Sequence, residues 1–263
     1  MSEWKAFVGK ISLFPAGFSG PVVLSALDLF QRVWGPEVDS FQGATNPLNP
    51  SVAQGRRDGL AVSCTAHPSR IDFSCAADQG QIVNAAEKIP TIDNVVNLRK
   101  CIETIMKAID SGLTTGAISR IAVFVQFLRI SKDREEANRN VVDILPDRFR
   151  LRLESEEDFM LQVNEPASVA TVVGARMNII TKWSVERFQL ITFQLPSAGI
   201  FAGGQFSSNP EETLAASVSF DNNSVPSNTP ISSHHQFLLL EGGFRDAIKK
   251  QSNFGLNVDG LKL

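Results

Sequence analysis

The side chains of this sequence that could carry a reaction are few and scattered. Two of its three histidines stand side by side as His234-His235, directly after Ser232-Ser233. An imidazole titrates near neutrality and can act as a general base toward a neighbouring hydroxyl. No GxSxG elbow frames either serine. On a regular helix the two rings project about 100° apart, so they do not converge on one metal or substrate. Asp221 closes an alternating apolar stretch, a position where enzymes place carboxylates, with no partner evident in the sequence. Arg56 and Arg57 sit in Gly55-Arg56-Arg57-Asp58-Gly59, where guanidinium forks could grip a carboxylate or phosphate; a solvated turn is the plainer expectation. Gly17-Phe18-Ser19-Gly20-Pro21 joins an extended stretch to a helix start. Its backbone N–H groups, at Ser19 and Gly20, could therefore cradle an anion. Gly199–Gly204 is no phosphate loop, because no Lys-Ser/Thr pair follows it. The catalytic candidates are thus His234, His235 and Asp221, and the ligand-binding candidates Arg56, Arg57, Ser19 and Gly20.

The remaining chemistry-bearing types add little. Cys64 and Cys75 keep phase with Leu60, Val62, Ile71 and Phe73 in two alternating stretches, Gly59–Ala66 and Arg70–Ala77. A hairpin turning at Ser69-Arg70 sets the two thiols directly opposite each other on its apolar face. Reduced, buried thiols acting as small hydrophobes are the simplest expectation for them, and for Cys101 in a following helix. No CxxC-type spacing is present, so no metal site is expected, and no motif asks for a cofactor. Glu154, Glu156, Glu157 and Asp158 cluster in what looks like a turn, where charge keeps the chain in water. With 18 phenylalanines and no tyrosine, no phenol can serve as nucleophile or acid.

The elements that must position these residues follow from periodicity. An extended stretch, an amphipathic helix and two alternating strands occur as Trp4–Phe14, Val22–Trp34, Gly59–Ala66 and Arg70–Ala77. A similar series runs through Ile118–Ile130, Asp133–Leu145, Arg148–Leu153 and Asp158–Asn164. The expected fold is α+β, a mixed or antiparallel sheet packed with helices, suggesting two related β-α-β-β halves. Their boundaries fall at residues 1–115 and 116–263, as two units or one continuous domain. Val95, Leu98, Ile102, Ile105, Met106 and Ile109 make a stripe at three- and four-residue spacing, predicting a helix from a Thr91 cap to Gly112. Ile118–Ile130 is apolar on both faces, which predicts a central strand. Val173–Lys182 and Val185–Leu195 read as a hairpin turning near Trp183-Ser184. Leu214–Phe220 reads as a further strand with Ala216, Val218 and Phe220 inward. A last helix, Ile231–Lys250, carries Phe237, Leu240, Phe244 and Ile248. Its Gly242-Gly243 pair predicts a kink or break, close packing being the competing explanation. Pro196–Pro210 and Asp221–Ser233 are polar and loop-like, and long loops often carry function.

Composition narrows the class. A formal charge of −3 gives no electrostatic footprint for nucleic acid. No apolar run reaches the length of a membrane span, and Met1–Lys5 lacks a basic, apolar leader, so a soluble cytoplasmic protein is expected. With no reaction motif in view, the expectation is a non-catalytic binding protein. It would engage a protein partner, or itself, through sheet edges and C-terminal loops. The alternative is a hydrolytic or phosphate-directed enzyme using His234 or His235 with the arginines.

Overall fold

The computed structural model describes residues 3–16, 25–45, 49–78, 89–113, 117–149, 159–168, 172, 174–189 and 212–253. Among them lie nine strands: β1 (Lys5–Pro15), β2 (Ser40–Gln42), β3 (Ser51–Arg57), β4 (Leu60–His67), β5 (Arg70–Ala77), β6 (Ile118–Ser131), β7 (Met160–Ser168), β8 (Arg176–Gln189) and β9 (Glu212–Ser224). Four α-helices accompany them: α1 (Ala26–Trp34), α2 (Val95–Asp110), α3 (Arg134–Val142) and α4 (Ser233–Asn253). All nine strands form one sheet in the order β2-β3-β4-β5-β1-β6-β9-β8-β7, and every pairing is antiparallel. The α+β expectation holds, with the sheet antiparallel throughout.

One face of the sheet carries all four helices, because one set of alternating residues is apolar. Across the centre, Ile11 pairs with Val123 and Phe73, and Gly9 pairs with Val125 and Cys75. On β9 the same rows continue through Asn222, Phe220, Val218 and Ala216. The buried residues of this face and the helix stripes form one continuous core. The opposite face is largely polar, with Ser12, Asp72, Ser217 and Asn223 hydrogen-bonded to side-chain neighbours and Ser219 buried beside them. At one end a small second core gathers Ile89, Leu128 and Ala215 with Phe7, Ile130 and Phe188. Strand β6 is thus apolar on both faces and lies beside the middle strand β1, as expected.

The stripe of α2 is buried at every expected position. Its cap is Asn94 rather than Thr91: the Asn94 side chain accepts the Val96 N–H at 3.0 Å, and Thr91 lies outside the helix. Asp133 caps α3 by accepting the Glu136 N–H at 2.8 Å. Other expectations change. The β4–β5 turn is Pro68-Ser69, so His67 pairs with Arg70 and Cys64 lies opposite Phe73, not Cys75. A slip of two residues preserves the face, which is why both cysteines remain buried. Cys75 is also not a reduced thiol: it is joined to Cys101 of α2 by a disulfide, leaving Cys64 free.

The expected break at Trp183-Ser184 is absent, and β8 runs unbroken for 14 residues. Trp183 and Ser184 each have partners on both β7 and β9, which carries the strand through them. Asp221–Ser224 likewise belong to β9 rather than to a loop. Helix α4 is continuous through Gly242-Gly243. A Cβ on Gly243 would lie 3.0 Å from Val123 and 3.2 Å from Asn222, so the glycine exists to let the helix approach the sheet. Asn222 seals that approach by donating from Nδ2 to the Gly243 carbonyl at 2.6 Å.

The expected second series aligns differently from the sequence pattern. Residues 147–149 form a 3-10 turn, residues 150–158 lie outside the described residues, and the first expected strand there, Arg148–Leu153, begins within that turn. By position in the sheet, β7, β8 and β9 correspond to β3, β4 and β5. Both series then run strand, helix, strands, helix, and in both the first strand lies beside the last. The sheet and its core cross the 115/116 boundary without interruption through the β1–β6 ladder.

Candidate functional site

A cleft lies at one end of β3–β5, beside the start of α2. Arg57 pairs with Leu60, leaving Asp58-Gly59 as a two-residue turn with φ of 51° and 76°. Both values are left-handed, as an Asp-Gly hairpin requires. The turn meets Pro90–Asn94 to enclose about 220 Å³, lined also by Leu60, Ala77, Asp78 and Asn97. Asn97 donates to the Asp58 carbonyl at 2.7 Å, and Ile92 N–H donates to Ala6 O at 2.7 Å. Lys5 reaches Asp93 at 2.8 Å, and Arg56 reaches Asp78 at 2.9 Å. Three aspartates line the cleft and two of them have basic partners at its rim. Among the described residues no group of three or more His, Cys, Asp or Glu side chains could hold a metal ion.

This cleft was not expected, because Gly55–Gly59 was expected to be a solvated turn whereas Gly55, Arg56 and Arg57 belong to β3. The Asp-Gly pair was the available signal. What disguised β3 was Gly55, which sits under Phe30 of α1: a Cβ there would lie 2.8 Å from the Phe30 ring.

The expected site residues are spread across the molecule. Arg57 is committed to structure: Nε donates to Trp34 O at 2.9 Å, a terminal nitrogen to Glu37 O at 2.7 Å, and the guanidinium lies 5.7 Å over Phe30. Arg56 stands on the other face of β3, paired with Asp78 and, at 3.8 Å, with Asp39. His234 is exposed, its Nδ1 3.1 Å from Asp110 of α2. His235 is exposed as well. The Ser232 hydroxyl accepts the His235 backbone N–H at 3.3 Å and so faces the helix start rather than an imidazole. Asp221 accepts from Asn223 at 3.2 Å on the polar face of the sheet, opposite the helix, α4, that carries both histidines. From β9 to β3 there are five strand spacings, about 24 Å. Neither Asp221 nor the arginines meet the histidines. Ser19 and Gly20 lie outside the described residues.

Among the described residues, the Cys64 thiol and the Glu165 carboxyl have shifted proton affinities. Burial, reinforced by the charge of Asp72, pushes the Cys64 thiol up to about 12, the behaviour of an inert core cysteine. Hydrogen bonds from Arg148 and then Lys250 hold the Glu165 carboxyl below its ordinary value.

Fold and cleft together define a two-layer α+β protein, an open antiparallel sheet with helices on one face. A comparison of the chain with protein-family models, curated proteins and solved structures gave no match. Among the described residues no helix is long and apolar enough to cross a membrane.

Proposed function

We propose that this chain is a non-catalytic interaction protein that engages a protein partner, or a second copy of itself, through the edges of its sheet. The observation that carries this is the pair of terminal strands, β2 and β7, each with one strand neighbour among the described residues. Phe41 on β2 is 47% exposed and Met160 on β7 is 67% exposed. The outward residues of β7 are Met160, Gln162, Asn164, Pro166 and Ser168, and none is charged. Natural edges are commonly guarded by charge, and here the guards within β7 are Pro166 and the inward-facing, ion-paired Glu165, while its outward row stays uncharged. An extended segment can add to such an edge through main-chain hydrogen bonds. The loop from Val225 to Ser232, which follows β9, belongs to the same proposal as a flanking contact.

No observation favours the hydrolytic alternative, since its residues do not share a cavity. A net charge of −3 does not favour nucleic acid. The cytoplasmic setting is part of the proposal, and the disulfide bears on it: in a reducing cytoplasm such a bond is transient, in an oxidising compartment permanent. Common ancestry of the two halves is also proposed, supported by their shared strand order. Superposing β1-α1-β3-β4-β5-α2 on β6-α3-β7-β8-β9-α4 tests it, and a failure of the helices to coincide when the strands do would end it.

Native mass spectrometry of the protein from its own host tests the interaction. The expected result is a protein complex or defined oligomer that weakens at least tenfold in a Met160→Lys, Asn164→Lys double variant. A bare monomer, or a complex indifferent to both lysines, would overturn the edge as the contact.

A further inference from the structure

The disulfide between Cys75 and Cys101 ties together two elements that also bound the cleft. Cys75 lies on β5, two residues before Ala77 and three before Asp78, both lining residues. Cys101 lies on the buried stripe of α2. It is one turn past Asn97, at the 1.5 Å rise per residue of a helix. The bond closes a stretch of 26 residues, and the entire α2 side of the cleft, Pro90–Asn97, falls inside it.

Apart from that bond, the wall is held by the burial of Ile92, Val95 and Leu98 and by a few polar contacts. The polar contacts include the Ile92–Ala6 hydrogen bond, the Lys5–Asp93 ion pair at the surface, and the Asn97–Asp58 hydrogen bond. Exposed ion pairs contribute little. Val95, Leu98 and Ile102 pack against the sheet, and Leu98 and Ile102 close over Gly9 of β1. These contacts let α2 remain helical whether or not the sulfurs are joined. The cross-link restricts how far the helix can lift, because a closed loop excludes opened states that a free chain can visit.

We propose that the Cys75–Cys101 disulfide is a redox-responsive clamp on the wall of the cleft. Joined, it fixes the first turns of α2 against β5; opened by a dithiol reductant, it lets that wall loosen while the rest of the sheet stays closed. In the opening step a thiolate of the dithiol attacks the Cys101 sulfur, the less buried of the two, forming a mixed disulfide and expelling the Cys75 thiolate. The second thiol of the reductant displaces Cys101 and the reductant leaves as its own disulfide. Two electrons reach the protein, and two protons from solvent complete the thiols of Cys75 and Cys101. Cys64 takes no part: it is buried and lies opposite Phe73.

Hydrogen exchange of the full chain, with and without dithiothreitol, tests the clamp, alongside thiol counting in denaturant. Untreated protein should show one free thiol, Cys64, and reduced protein three. Amides of Val95–Ile102 should exchange at least tenfold faster after reduction, while those of β6 do not change. A Cys101→Ala variant should match the reduced state with or without dithiothreitol; if that variant does not fold, the reductant series on the unaltered chain decides. Three free thiols in untreated protein would overturn the proposal. So would exchange indifferent to reduction, or an equal acceleration in β6, which would mark the bond as a global staple and not a local clamp.

Discussion

The two halves of the sheet meet their helices by opposite means. In the N-terminal half the sheet yields: Gly55 of β3 makes room for the Phe30 ring of α1, and Gly9 of β1 makes room for Leu98 and Ile102 of α2. In the C-terminal half the helix yields: Gly243 of α4 lies against Val123, Asn222 and Met177 of the sheet. Close approach needs one surface to lose its side chains, and either surface can do so. The lesson is that a glycine inside a strand or helix need not mark a break. Its meaning depends on what stands opposite.

The largest test of that comparison is at Phe30, which is fully buried and also carries the Arg57 guanidinium at 5.7 Å. Phe30→Ala should cost about 4 kcal/mol in urea unfolding, the range for large-to-small changes at a buried aromatic. Gly55→Ala alone should cost about 2 kcal/mol by overpacking against the ring. In the double variant the added methyl meets space instead of a ring, so the combined loss should fall short of the sum by at least 1 kcal/mol. Strict additivity would mean that Gly55 is not there for Phe30.

The neighbouring glycines of α4 give a smaller contrast, with a change of sign. At Gly242 a Cβ meets nothing within 4 Å, so Gly242→Ala should stabilise by about 1 kcal/mol through helix propensity. At Gly243 the same gain is opposed by contacts of 3.0–3.3 Å with the central strands, and Gly243→Ala should destabilise by about 1–2 kcal/mol net. Thermal unfolding of the two variants checks this. If both changes stabilise, α4 does not rest on the sheet at Gly243.

These positions also show where the sequence could be read and where it could not. The α2 stripe and the two-faced β6 were legible because each pattern records burial that every residue in it shares. The single run of β8 was not, since Trp183-Ser184 resembles an interruption until β7 and β9 are known to flank it. Strand β3 was hidden because Gly55 and the two arginines imitate a turn, and only the Asp-Gly pair gave it away. The Cys75–Cys101 bond joins a strand to a helix across the core, a proximity that no local periodicity encodes. Of the candidate site, the residues expected to act, His234, His235, Asp221, Arg56 and Arg57, were chosen for chemical type. Their separation across two faces and several strands is a property of topology. The cleft is lined mainly by turn and cap residues, whose side chains advertise backbone geometry rather than reactivity.

The smallest expected effect lies where the C-terminal half fastens its own edge. Glu165 of β7 accepts from Arg148 at 2.7 Å and from Lys250 of α4 at 3.1 Å, which ties the outermost strand to the helix layer. No comparable ion pair fastens β2 among the described residues, so the two edges differ in how they are held. The carboxyl is lowered chiefly by the Arg148 hydrogen bond, then by Lys250. A carboxyl depressed in the folded state contributes stability above its unfolded value of about 4.5 and loses it as pH falls through the folded one. Because the group is mostly exposed, solvent screening limits the contribution to about 0.5 kcal/mol. Glu165→Gln should therefore cost about that much at pH 7, cost nothing once the pH lies well below the depressed folded value, and matter less in 1 M salt, where screening is nearly complete. A loss independent of both pH and salt would assign Glu165 a packing role and remove the electrostatic difference between the two edges.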